Sequence, residues 1–253
     1  MKTIEEAIQS VKDFDWKNST KKEIEDILPT FGMNDEGLNE LPKELYQYTG
    51  YGIKFWQYPT QLSKLICFIR EKEINSYLEI GVRWGGTFII INEVIRQYNP
   101  HIRSFANDII GASNILDCYQ NKFNGNHFLY LQMDSSNPFL RYSFNSDDAK
   151  PTAKIDLVFI DGNHMYWGVM EDYQRSLSLG AKYIVFHDID SQSSWASKMA
   201  WKTIKKKHKK IHEFTDQYDS VKGKYMGIGV IEITKEDDIF PFFEEYYPDL
   251  FEE

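Results

Sequence analysis

The sequence predicts an α/β fold: a doubly wound, mostly parallel seven-stranded sheet with helices on both faces and its last strand antiparallel. Three observations predict it. Seven short apolar runs punctuate the chain from residue 76 onward, most of them separated by stretches of helical period. The runs are near-continuous in apolar character, as expected of strands covered on both faces. The first run ends in a glycine-rich turn that leads straight into a helix, as in other doubly wound sheets.

Residues 1–45 read as a helical N-terminal extension ahead of a sheet domain at 46–253. Ile4, Ala7, Ile8 and Val11 recur at helical spacing. Thr20 followed by Glu23 is a capping-box pattern that starts a second helix, stopped by Pro29. Gly32, Gly37 and Pro42 then punctuate a loop. Pro59 opens a helix with the apolar stripe Leu62, Leu65, Ile66 and Ile69. Strand Ser76–Val82 leads to helix Thr87–Gln97, then strands Ser104–Ile109 and His127–Asp134. A polar stretch, Ser143–Lys154, precedes strand Ile155–Gly162, helix Val169–Leu179 and strand Ala181–Asp188. A basic helix, Ala196–Lys209, and the runs KIHEF and MGIGVIEI close the chain, the last two pairing antiparallel at one edge. The extension has no place in the sheet, so it is expected to cover a ligand pocket or to make a contact in a homo-oligomer.

Composition narrows the function. A chain of 253 residues, 42% of them hydrophobic, can bury one large core. No run reaches membrane-spanning length, and MKTIEEAIQSVKDF has acids where a signal peptide would be apolar. The expectation is a cytoplasmic protein with no membrane partner. Two cysteines make neither a disulfide framework nor a metal cluster, and Cys67 reads as a reduced core thiol. A net charge of −9 argues against a nucleic-acid partner. The one basic run, KTIKKKHKK at Lys202–Lys210, reads as a solvated helix face.

The turn after the first strand reads Glu79-Ile80-Gly81-Val82-Arg83-Trp84-Gly85-Gly86. Gly81 and Gly85 let a ligand approach the backbone. The pattern is GxxxGG, where a pyrophosphate site would show GxGxxG. Glu79, two residues before the first glycine, opposes a pyrophosphate and favours S-adenosylmethionine, whose ammonium and sulfonium make it cationic. About 29 residues later, Asp108 ends the second strand, where an acid can accept both ribose hydroxyls; the plainer reading is a cap on the next turn. Asp134 and Ser135 end the third strand and are placed for the adenine amino group and ring nitrogen, though Asp-Ser is also an ordinary turn pair.

These residues, with FIDGNHMYWGVMEDYQRSLSLGAKYIVFHDID and the terminal GIGVIEI, resemble the class I S-adenosylmethionine-dependent methyltransferases. More narrowly they look like the branch containing macrolide-sugar O-methyltransferases and cephalosporin-hydroxylase-like relatives. The resemblance runs from about Gln57 to Ile233, and residues 1–56 carry none of it. It implies a Rossmann-like methyltransferase fold. In metal-dependent members it also implies a divalent cation, magnesium or manganese, on Asp161, His187 and Asp188, with His164 as general base. Where such relatives have Glu-Asp or Asp-Asn this chain has His187-Asp188, so manganese or a weaker site stays open beside magnesium. Asp190 is a further candidate ligand or a helix cap.

The chemistry is coherent on its own terms. An alcohol is a poor nucleophile until it loses its proton or binds a metal, and His164 can take that proton near neutral pH. A histidine bonding its own loop is the plainer reading. Trp84, Tyr166, Trp167 and Trp195 fall in loops on the expected ligand face and suit a sugar or a planar ring, whereas Trp201 reads as core. The acceptor is expected to be a small molecule, with a sugar or glycan hydroxyl first and a catechol or phenol second. A nicotinamide-dependent oxidoreductase shares the fold class, but the missing GxGxxG and Glu79 count against it. A cofactor-binding scaffold with a decayed site is the non-enzymatic alternative.

Overall fold

The computed structural model describes residues 1–123, 128–137 and 154–237. In chain order the elements are helices α1 (Ile4–Asp13), α2 (Lys21–Ile27) and α3 (Pro59–Arg70), strand β1 (Ser76–Ile80), helix α4 (Gly86–Arg96), strand β2 (Arg103–Asp108), helix α5 (Asn114–Lys122) and strand β3 (Phe128–Gln132). There follow β4 (Leu157–Ile160), α6 (Tyr166–Ser178), β5 (Tyr183–Phe186), α7 (Trp195–Ile204), β6 (Lys210–Phe214) and β7 (Ile228–Glu232). The seven strands form one sheet in the order β3-β2-β1-β4-β5-β7-β6. β1 to β5 run parallel, and β7 is antiparallel to both β5 and β6, as the sequence predicts.

Register is what builds the site. Ile80 of β1 lies beside Asn107 of β2 and Ile160 of β4, and Ile160 lies beside Phe186 of β5. The residues that follow these positions, Gly81, Asp108, Asp161 and His187, therefore leave the sheet on one edge. That edge includes the point between β1 and β4 where the strand order reverses, the usual crevice of such folds.

The sheet is covered on both faces. One core gathers Tyr77, Phe88, Ile90, Leu157 and Val185; the other gathers Leu78, Val158, Tyr173, Phe186 and Trp201. Residues 1–45, read from the sequence as an extension beside the sheet domain, are built into the first core. Ala7, Ile8, Val11, Trp16, Ile24 and Phe31 are fully buried there. Helix α1 packs on α4 and α5, and α2 packs on α3. Both helices begin with capping boxes, Thr3 with Glu6 and Thr20 with Glu23, which satisfy amide groups that the first turn leaves open. The apolar stripe of α1, in the segment expected to cover a ligand pocket or make an oligomer contact, packs on α4 and α5 of the same chain.

Other boundaries shift for local reasons. α6 begins at Tyr166, three residues before the expected Val169. α7 ends at Ile204 and gives way to a 3-10 turn over Lys205–Lys207. α5, capped by the Ser113 hydroxyl, is too short in its apolar stripe to be seen in the sequence. Cys67 is half-buried against the first core, not enclosed by it. The polar stretch expected at Ser143–Lys154 falls outside the described residues except for Lys154. Among the described residues no helix is long and apolar enough to cross a membrane.

Candidate functional site

Two cavities of about 440 and 420 Å3 open on the carboxyl edge of the sheet. They share Gly81, Arg83, Asp161 and Gly162, so they form one cleft across the ends of β2, β1 and β4. Glu79, Trp84, His164, His187 and Asp188 line the first cavity; Asp108, Asp134, Ser135 and Asn163 line the second.

The glycine turn is shaped by close approach. Gly81 has φ +86°, and a Cβ there would lie 2.3 Å from the Asp161 carbonyl oxygen, so no side chain fits between the β1 and β4 ends. Arg83 is left-handed too, at φ 48°, and its N–H donates to Asp108 Oδ2 at 2.8 Å. Asp108 Oδ1 accepts from the Ile110 N–H at 3.2 Å. Asp108 therefore does cap its turn, while each oxygen keeps a lone pair for a ligand in the second cavity. Asp134 accepts from the Ser136 N–H at 2.8 Å, and hydrogen bonds from Ser136 hold its pKa below the ordinary value.

Glu79 is 1% exposed and accepts a hydrogen bond from the Tyr77 hydroxyl. Burial pushes its pKa well above the carboxylate range, against that hydrogen bond, and the nearby Asp161 charge adds to the rise. A cation placed beside Glu79 would reverse that balance and draw it to ionise.

At the junction of the two cavities the β4 and β5 ends bring four groups together. His187 Nδ1 lies 2.8 Å and His164 Nε2 3.3 Å from the same oxygen, Asp161 Oδ1. Asp188 stands 3.3 Å from His164 Nδ1 and 3.7 Å from His187 Nδ1, held at φ 59°. Burial alone would raise Asp161 and lower His187, but their mutual attraction wins: Asp161 falls below its usual value and His187 rises to about 9. His164 is raised chiefly by its hydrogen bond to Asp161. The resemblance implies a base role for His164 and a ligand role for His187; the geometry sets both rings on one carboxylate oxygen.

This donor set fits a divalent cation. Ligand atoms of Asp161, His164 and His187 lie within 4.8 Å of one another, so this compact group has His164 where the resemblance implies Asp188. Neighbouring ligands around an octahedral ion with bonds of about 2.1 Å stand roughly 3 Å apart, close to the separations seen here. His187 Nε2 is buried without a partner. Asp190 is not in this group, because Lys198 (2.6 Å) and Lys224 (3.0 Å) neutralise it.

The N-terminal segment adds residues the motifs do not reveal. Glu36, Glu40, Lys54 and Trp56 line the first cavity, and Gln57 Nε2 approaches Asp161 Oδ2 at 3.4 Å. The cleft's cations are already matched, Arg83 by Glu36 at 3.0 Å and Lys54 by Asp35 at 3.3 Å. Of the four aromatics expected on the ligand face only Trp84 lines the cleft. The helices start at Tyr166 and Trp195, which turns Trp167 and Trp195 out to solvent and Tyr166 toward Thr203. Trp201 is core, as expected.

No protein-family model matches the chain, and comparison with curated proteins gives no match. In structure it is similar to the O-methyltransferase TomG from Streptomyces achromogenes, solved with SAM, at 13% identity and a TM-score of 0.49 over 68% of this chain and 78% of TomG. It is similar to a cofactor-bound protein from MTB at 14% identity and 0.48, over 92% of this chain and 98% of that one. The methyltransferase MycE of the mycinamycin pathway, solved with Mg, SAH and mycinamycin VI, gives 16% identity and 0.46, over 74% of this chain and 52% of MycE. These likenesses concern the fold.

Proposed function

We propose that this chain is an S-adenosylmethionine-dependent O-methyltransferase acting on a hydroxyl of a small molecule, a sugar or glycan before a catechol or phenol. The observation that carries the reading is the cleft itself. Three strand-end acids, Glu79, Asp108 and Asp134, lie along it, and the Asp161, His164, His187 and Asp188 group stands at its centre. With Arg83 and Lys54 already paired, its field suits a ligand of net positive charge and opposes a pyrophosphate. In this reading Glu79 meets the ammonium, Asp108 the ribose hydroxyls, and Asp134 with Ser135 the adenine.

S-adenosylmethionine, when bound, supplies a methyl group activated on a sulfonium. The acceptor oxygen attacks the methyl carbon in line, the carbon–sulfur bond breaks with its electron pair passing to sulfur, and His164 takes the hydroxyl proton. Asp161 holds the His164 ring and stabilises its protonated form. Asp161, His187 and Asp188 would hold a divalent cation, which would supply Lewis-acid chemistry toward the acceptor hydroxyl. A nitrogen ligand favours manganese over magnesium there. Trp56, Trp84 and Glu40 offer aromatic faces and a carboxylate to a polyhydroxyl acceptor. A cytoplasmic site of action, self-association, and the absence of nucleic-acid or membrane partners belong to the same proposal.

The test is release of S-adenosylhomocysteine across a panel of sugars, glycans and catechols, with and without magnesium or manganese. Turnover with a hydroxyl acceptor is the expected result; no release with any of them, at saturating S-adenosylmethionine, contradicts the reading.

A further inference from the structure

Five carboxylates line the first cavity: Glu36, Glu40, Glu79, Asp161 and Asp188. Four of them are engaged. Glu36 pairs with Arg83 at 3.0 Å, Glu79 accepts from the Tyr77 hydroxyl, and Asp161 and Asp188 face His164 and His187. The cavity's other cation, Lys54, is taken by Asp35 at 3.3 Å. Glu40 is the exception: among the described residues no lysine, arginine or histidine forms an ion pair with it. A half-buried carboxylate without a counter-charge carries a desolvation cost that a cationic ligand would offset.

Trp56 stands beside it. A Cβ on Gly37 would lie 3.3 Å from Trp56 Cζ2 and 3.8 Å from Glu40 Oε2, so ring and carboxylate flank one point. Lys54 and Arg83 lie over the Trp84 ring at 5.0 and 5.6 Å, whereas among the described residues no cation lies over Trp56. The pair is held in place from behind. The fully buried Tyr58 donates its hydroxyl hydrogen to the Glu40 carbonyl, which ties the Leu38–Glu40 turn to the segment carrying Trp56. A carboxylate and an aromatic face, both open to a cavity and both lacking a cation, suit an ammonium group.

We infer that the acceptor is an amino sugar, its ammonium held between the Glu40 carboxylate and the Trp56 ring. The inference rests on the methyltransferase reading above and deepens it by naming the substrate class. The same cavity is lined by His164, so one acceptor can place its ammonium on Glu40 and a hydroxyl toward the base. Held as an ammonium, the nitrogen has no lone pair to attack the methyl carbon, and the hydroxyl oxygen is the nucleophile.

The test is calorimetric titration of the protein saturated with S-adenosylhomocysteine, at pH 7, where a sugar amine is mostly protonated. Glucosamine, galactosamine and mannosamine are each compared with the N-acetylated form and with the parent sugar. At least one amino sugar should bind about tenfold or more tighter than both of its neutral counterparts. Glu40→Gln, at a half-exposed position whose backbone bond to Tyr58 survives, should shrink that preference at least fivefold, with S-adenosylhomocysteine affinity changed less than twofold. Trp56→Leu should weaken the amino sugar more than the parent sugar; a merely structural role would weaken both equally. Neutral sugars that bind as tightly as the amines, no binding by any amine, or a preference that survives both variants overturns the inference. A Glu40→Gln protein that loses S-adenosylhomocysteine also overturns it, by assigning the carboxylate to the cofactor, and leaves the cofactor reading standing. A wild-type protein that does not bind S-adenosylhomocysteine overturns both.

Discussion

Asp161 Oδ1 takes both His187 at 2.8 Å and His164 at 3.3 Å, and this shared oxygen divides the work at the residue scale. His164 is the half-open ring at the cavity wall, and His187 is the buried one. His164→Ala should lower turnover roughly a hundredfold or more, the usual size of a general-base contribution, with S-adenosylhomocysteine affinity nearly intact. Steady-state kinetics beside calorimetry separates the two effects. The pH dependence has a definite sign. His187 is raised to about 9, so the ion pair's contribution to stability is fully present below an ordinary histidine pKa and is lost as pH rises through 9. Asp161 is lowered, so its part is present above the ordinary carboxylate value and is lost in acid. A divalent cation must displace the His187 proton, so manganese affinity should rise between pH 7 and 9 with proton release. Titration in buffers of different ionisation enthalpy reads that release directly; an affinity independent of pH would remove His187 from the ligand set. The gathering of these four groups was legible, because each lies within four residues of a strand end. Asp108's bond to the Arg83 amide was not, since it depends on a left-handed residue in another turn.

At the scale of elements, β1, β4 and β5 could be read from apolar runs because both faces of each are covered, leaving little polar interruption. The N-terminal helices show the limit of such reading. A stripe at helical spacing states that one face is buried and not against what. Trp16 makes the difference measurable: it is fully buried, and its ring N–H donates to the Val11 carbonyl at 2.8 Å. Trp16→Ala should cost about 3–5 kcal/mol in denaturant unfolding, as for other large core truncations. An external extension would tolerate the change within about 0.5 kcal/mol. Glu40, Trp56 and Gln57 reach the cleft for the same reason: the chain path after α2 sets them there, and no local pattern records that path.

The whole molecule carries a net charge of −9, and in the cleft Arg83 and Lys54 are paired with Glu36 and Asp35 while His187 is paired with Asp161. The sheet order places the glycine turn at the reversal between β1 and β4, and a cofactor lying across that point would meet the ends of three strands at once. Its binding should therefore stabilise the entire fold and not one loop. The most direct measurement is the melting temperature with S-adenosylhomocysteine at about a hundredfold excess over its dissociation constant, beside NADH under the same conditions. The account predicts stabilisation by S-adenosylhomocysteine of about 2.7 kcal/mol, or roughly 5–10 °C. It predicts no shift with NADH, and a loss of the S-adenosylhomocysteine shift in Asp108→Ala. A shift with NADH and none with S-adenosylhomocysteine would contradict it.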